Sequence, residues 1–129
     1  MSTALQTPPA PTRHTVVRAP RTVAVARNSA RSILSAWRIE AARLDDALLI
    51  VSELLTNAFI HGADPVALSL RHCGGHLTVA VRDGGATIRQ QPDADVLDEH
   101  GRGLAIVEAL AHHCGVHVTA GRTVVWARL

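Results

Sequence analysis

Apolar residues recur along this chain at two periods, and the changes from one period to the other outline its elements. From about Ala24 to Trp37, residues Ala30, Ile33, Leu34 and Trp37 fall at i, i+3, i+4 and i+7, one face of an amphipathic helix. A second helix is expected from about Ala42 to His61, stopped by Gly62 and the Asp64-Pro65 turn. On its helical wheel Ala47, Val51, Leu54, Leu55 and Ala58 share one face, while Glu53 and Asn57 lie together away from it, flanked by Ile50 and Ile60. A helix that is apolar nearly all round belongs inside the molecule. Its acidic and amide side chains are therefore expected to line a cleft.

The rest of the chain alternates with period two. Val66 to Arg71 and Leu77 to Arg82 read as a hairpin about Cys73-Gly74-Gly75. A short strand is expected over His14 to Arg18, ended by Ala19-Pro20, and two more close the chain: Val116 to Ala120 and Thr123 to Leu129, joined at Gly121-Arg122. Between the two pairs, Asp83-Gly84-Gly85 opens a polar stretch that reaches His100, and loops of that length are usually functional. A helix is expected to follow, from Gly103 or Leu104 to about His113. The order β-α-α-β-β-α-β-β gives an α+β, two-layer sandwich: a mostly antiparallel sheet covered on one face by helices. Residues 1–12, rich in Pro, Ser and Thr, are expected to be a flexible tail, and residues 13–129 a single domain.

Composition narrows the function. The 129 residues suffice for one core, and 47% of them are hydrophobic. Aromatic residues make up only 2% (Trp37, Phe59 and Trp126), too few for a platform that stacks single-stranded bases. The net charge is +2, and the basic side chains are all Arg, scattered without a basic run. Direct nucleic-acid binding is not expected. Without Lys, a GxxxxGK[ST] phosphate loop is excluded, so backbone N–H groups and Arg must hold any phosphate. Cys73 and Cys114 are too few for a disulfide framework and read as reduced thiols. No stretch has the length of a membrane span or the plan of a signal peptide, so a soluble, cytoplasmic protein is expected.

Three clusters carry candidate chemistry. In VSELLTNAFIHG, Glu53 and Asn57 stand at i and i+4. An amide oxygen suits Mg²⁺, and a nearby carboxylate can accept a proton; alone, the pair reads equally as a solvent-facing polar couple. Asp83-Gly84-Gly85 ends a strand, where a carboxylate can accept from an exocyclic amine; alone, it is an ordinary Asp-Gly turn. His100-Gly101-Arg102-Gly103-Leu104 combines glycines, an Arg and a helix start, the makings of an anion site or of a hinge.

Taken in order, these segments resemble the GHKL (Bergerat-fold) ATPases, and among them the anti-sigma-factor serine/threonine kinases. VSELLTNAFIHG matches the family's N box, VRDGG its adenine box, HGRGLAIVEAL its glycine box, and GRTVVWARL its last strand, so the resemblance spans about residues 14–129. It implies ATP and Mg²⁺ as cofactors, with Asn57 on the metal and Glu53 as the base that activates a hydroxyl acceptor. It further implies Asp83 on the adenine amine with Gly85 beside the ring, Gly101, Arg102, Gly103 and Leu104 about the phosphates, and Thr123 near the nucleotide. Residues 84–100 would be the ATP lid, and Thr87 stands where the family has a second glycine. The implied partners are a sigma factor and an anti-anti-sigma (STAS-type) protein, with a homodimer possible. An alternative is a regulator that keeps the fold and binds partners without turning over ATP. A zinc site among His72, Cys73 and His76, or among His112, His113, Cys114 and His117, is a further alternative, although the spacings fit no standard finger.

Overall fold

A computed structural model describes residues 12–16, 19, 21–84 and 104–129. Its elements are β1 (Thr12–Val16), α1 (Thr22–Ala36), α2 (Ala41–His61), β2 (Val66–Cys73), β3 (His76–Asp83), α3 (Leu104–Leu110), β4 (His113–Thr119) and β5 (Arg122–Arg128). The five strands form one sheet in the order β1-β2-β3-β5-β4, with every neighbouring pair antiparallel. The expected α+β two-layer sandwich is therefore the observed one.

Alternation decides which sheet face is covered. Val66, Leu68 and Leu70 of β2, Leu77, Val79 and Val81 of β3, and Val125 and Ala127 of β5 are all buried. They meet α2, whose Ala47, Leu48, Ile50, Val51, Leu54, Leu55 and Ala58 are buried as well. α1 adds Ala26, Ala30 and Leu34, and α3 adds Leu104 and Val107. The expected face of α1 is thus shifted: Ala30 and Leu34 are buried, while Ile33 and Trp37 pack at its margin.

Two hairpin turns fix the register. Cys73 pairs with His76, so Gly74-Gly75 is a two-residue loop, and both glycines have positive φ (59° and 82°). That conformation matches the twist of the flanking strands and is open chiefly to glycine. Thr119 pairs with Arg122, which moves the second turn to Ala120-Gly121, one residue before its expected place.

Near the first hairpin the sheet is tied to both long helices. The Arg43 guanidinium donates to the Gly75 carbonyl at 2.9 Å, and Trp37 stacks on His72 with ring centroids 6.2 Å apart. α1 ends in a Schellman motif about Arg38, which takes φ 62°: Ile39 N–H donates to Leu34 O, and Arg38 N–H to Ser35 O.

Two boundaries differ from expectation. β1 begins at Thr12, two residues before its expected start. α3 stops at Leu110 rather than near His113, because the His112 N–H donates to Arg128 O and His113 pairs with Arg128. Strand pairing with β5 takes over the backbone groups that a longer helix would have used.

Candidate functional site

The site grows from the C-terminal half of α2. Glu53 and Asn57 occupy successive turns; Glu53 is half-buried, whereas Asn57 is only 6% exposed. Burial follows from the packing of α2, which has α1 and α3 against it and the sheet beneath. The Asn57 Oδ1 atom is buried without a hydrogen-bond partner among the described residues. An unsatisfied buried acceptor costs about 1–3 kcal/mol.

Asp83, the last residue of β3, is the other buried polar side chain of the described residues, also at 6% exposure. Its cross-strand partner is the half-buried Thr123 of β5, and opposite residues in an antiparallel pair share one face. That face is the helix-covered one, since Val81 and Val125, two residues away on each strand, belong to the core. Asp83 and Thr123 thus stand together under the helical layer.

Gly62, the C-cap of α2, joins the two halves of the site. A Cβ there would fall on the Asp83 carboxylate and 2.9 Å from the Ala58 carbonyl. Gly84 is held as closely: its N–H donates to the Ala63 carbonyl, and a Cβ would overlap the Asp64 carbonyl. The end of α2 and the end of β3 are therefore in direct contact. Asn57 precedes Gly62 by five residues, roughly 7.5 Å along the helix axis. From sequence, Gly62 read only as a helix stop and Gly84 only as part of a turn. Their close packing follows from contacts between segments distant in the chain, which no local pattern displays.

The structure places Glu53 and Asn57 on successive turns of α2, and Asp83 opposite Thr123, against Gly62 at the end of that helix. Leu104 opens α3, but its side chain is fully buried in the core, so only its backbone is left for a ligand. Gly85, Gly101, Arg102 and Gly103 lie outside the described residues, as do Thr87, the lid expected over 84–100 apart from Gly84, and residues 1–11. A cleft of about 350 Å³ flanks Asp83 and is lined by Asp64, Arg82, Gly84 and Arg122 among others; neither Glu53 nor Asn57 reaches it.

The zinc alternative finds no support. No group of three His, Cys, Asp or Glu side chains able to hold a metal occurs among the described residues. Register explains this for the second cluster: Cys114 pairs with buried Ala127, whereas His113 and His117 pair with Arg128 and Val124 on the opposite face. Burial raises the Cys114 thiol above its ordinary pKa, and the Glu108 carboxylate adds to the effect. Such a thiol stays protonated and is a poor ligand or nucleophile near neutral pH. Among the described residues, no helix is long and apolar enough to cross a membrane.

Comparison with known proteins agrees with this architecture. A chain containing the RsbU and RsbW domains of Rv1364c from Mycobacterium tuberculosis superposes with a TM-score of 0.71 at 21% identity. The match covers 93% of the present chain and 32% of that one, so this chain spans about a third of its relative's length. A chain of the SiaB–SiaC complex from Pseudomonas aeruginosa superposes with a TM-score of 0.62 at 12% identity, covering 92% of the present chain and 88% of the other. Identities this low speak for the fold alone. No curated protein matches the sequence. The family model for the histidine kinase-like ATPase domain matches residues 16–129, and the chain belongs to that family.

Proposed function

We propose that this protein is an ATP-binding regulator of the anti-sigma type, with serine/threonine kinase activity toward an anti-anti-sigma (STAS-type) partner. The observation that carries the reading is Asn57: a buried amide oxygen, without a hydrogen-bond partner among the described residues, one turn from the carboxylate of Glu53. A neutral hard oxygen is a suitable ligand for Mg²⁺, and the unused acceptor fits that group. The buried Asp83 carboxylate fits an exocyclic amine donor such as that of adenine.

MgATP, when bound, supplies the phosphoryl group together with the cationic charge that offsets it. The chain's own residues do the rest. Asp83 orients the base by accepting from its amine, and Gly62 fixes Asp83 by filling no space beside it. Asn57 would hold the metal through Oδ1. Glu53, half-buried on the preceding turn, accepts the proton of the acceptor hydroxyl. By family resemblance, the backbone about Gly101, Arg102, Gly103 and Leu104 contacts the phosphates, Gly85 lies beside the base, and Thr123 lies near the nucleotide. The fold relative in the SiaB–SiaC complex, a two-protein assembly, lends support to a protein partner. A sigma factor is the second partner in this reading.

The test is MgATP titration of wild type, Glu53→Ala and Asn57→Ala, followed by phosphate transfer to candidate STAS-type proteins. Wild type should bind in a Mg²⁺-dependent way. Asn57→Ala should lose roughly tenfold or more in affinity, as removal of a charge-assisted contact does. Glu53→Ala should bind but no longer transfer. Wild type that fails to bind even at millimolar nucleotide would sink the proposal.

A further inference from the structure

The helices cover one face of the sheet, and the strand positions of β2 to β5 on the other face are all half-buried or exposed. Charge divides between the two faces. Among the residues of the five strands the one carboxylate is Asp83, which is buried under the helices. Arg71, Arg82, Arg122 and Arg128 alternate with core residues and so take the uncovered face. The arginines are scattered along the chain, and strand register gathers them. At the Arg82 and Arg122 end, Asp64 lines the same cleft and offsets part of that charge. The end held by Arg71 and Arg128 has no carboxylate at a strand position.

Two adjacent rows shape that end. Arg71, Thr78, Arg128 and His113 are successive partners across β2, β3, β5 and β4. Arg71 and Arg128 therefore stand roughly 10 Å apart, two strand spacings. The next row on this face is Ser69, Ala80, Trp126 and Gly115. A Cβ on Gly115 would lie 3.0 Å from the Trp126 ring, so the indole lies across that glycine, half-buried. An aromatic surface next to small side chains is thus bordered by two exposed guanidiniums.

We propose that this face docks an acidic segment of a partner protein, whose carboxylates pair with Arg71 and Arg128 and whose apolar side chains rest on Trp126. Charge complementarity selects the occupant. The guanidinium fork matches a carboxylate, and Trp and Arg are among the side chains enriched where protein interfaces concentrate their binding energy. A second copy docked face to face would set arginine against arginine, with no strand carboxylate to offset them. A polynucleotide strand needs successive rings for its bases, and Trp126 is the one Trp, Tyr or Phe in the five strands. The inference stands apart from the nucleotide reading, because none of these residues is assigned to ATP.

The test follows the Trp126 indole N–H and the Arg71 and Arg128 Nε–H resonances of the full chain. A blocked peptide alternating Glu and Val, its Lys-Val counterpart and a single-stranded oligo-dT are titrated separately. The Glu peptide should move all three signals saturably, and the Lys peptide should move none. Arg71→Glu combined with Arg128→Glu should weaken Glu-peptide binding about tenfold or more, and the gentler pair Arg71→Gln with Arg128→Gln should weaken it less. Arg31→Glu, on α1 across the molecule, should leave the titration intact. Oligo-dT binding tighter than that of the Glu peptide would assign the face to nucleic acid. A dimer in sedimentation equilibrium whose formation moves the Trp126 signal would assign it to a second copy. Either result would overturn the proposal, as would no response to the Glu peptide or a response that survives both charge reversals.

Discussion

At the scale of single residues, the informative positions are those where stability alone would have chosen differently. Asn57 keeps a buried oxygen without a hydrogen-bond partner among the described residues. Gly62 carries no side chain, which leaves Asp83 room to sit against it. Gly62→Ala is accordingly expected to displace the Asp83 carboxylate and to cost about 1–3 kcal/mol as an overpacking change. Thermal denaturation should show the loss of stability, and MgATP titration should show weaker binding of the adenine. Unchanged nucleotide affinity in a folded Gly62→Ala protein would disconnect Gly62 from the site. Glu53, Asn57 and Asp83 were legible from spacing because their chemistry is local to short motifs. The role of Gly62 was not, because the atom it makes room for lies 21 positions further on, at Asp83.

Elements show how these residues are held. Arg43 meets Gly75 at the start of α2 and β3, and Gly62 meets Asp83 at their ends, so the two elements run alongside in the same direction. A displacement of α2 therefore moves Asn57 and the support of Asp83 together. The turn that launches α2 carries a local conflict, since Arg38 adopts a left-handed φ of 62° in a Schellman motif that normally takes glycine. Arg38→Gly should raise stability by about 0.5–1 kcal/mol, visible as a higher denaturation midpoint with the fold unchanged. A lower midpoint would mean that the Arg38 side chain itself supports the turn. The length of α3 illustrates the limit of periodicity. Its apolar pattern runs on past Leu110, and only the pairing of His113 with Arg128 ends the helix there.

For the molecule as a whole, stability rests on one aliphatic layer between α2 and the sheet, with few aromatic rings to help. Leu54 and Leu55 lie at its centre, essentially without exposure. Leu54→Ala should cost about 2–5 kcal/mol, measured by denaturant unfolding, because the surrounding helices and strands cannot collapse fully into the gap. A loss below about 1 kcal/mol would show a core far more plastic than close packing allows. The sequence by itself determined the element order, the α+β class, the identity of the polar pair on α2 and the buried stripe around it. Those follow from two periodicities and from glycine and proline punctuation, all carried by neighbouring residues. Only the tertiary structure decided the strand order β1-β2-β3-β5-β4, the contact of Gly62 with Asp83 and the pairing of Asp83 with Thr123. These features arise where distant segments compete for the same space and the same hydrogen bonds, and a one-dimensional pattern does not encode that competition.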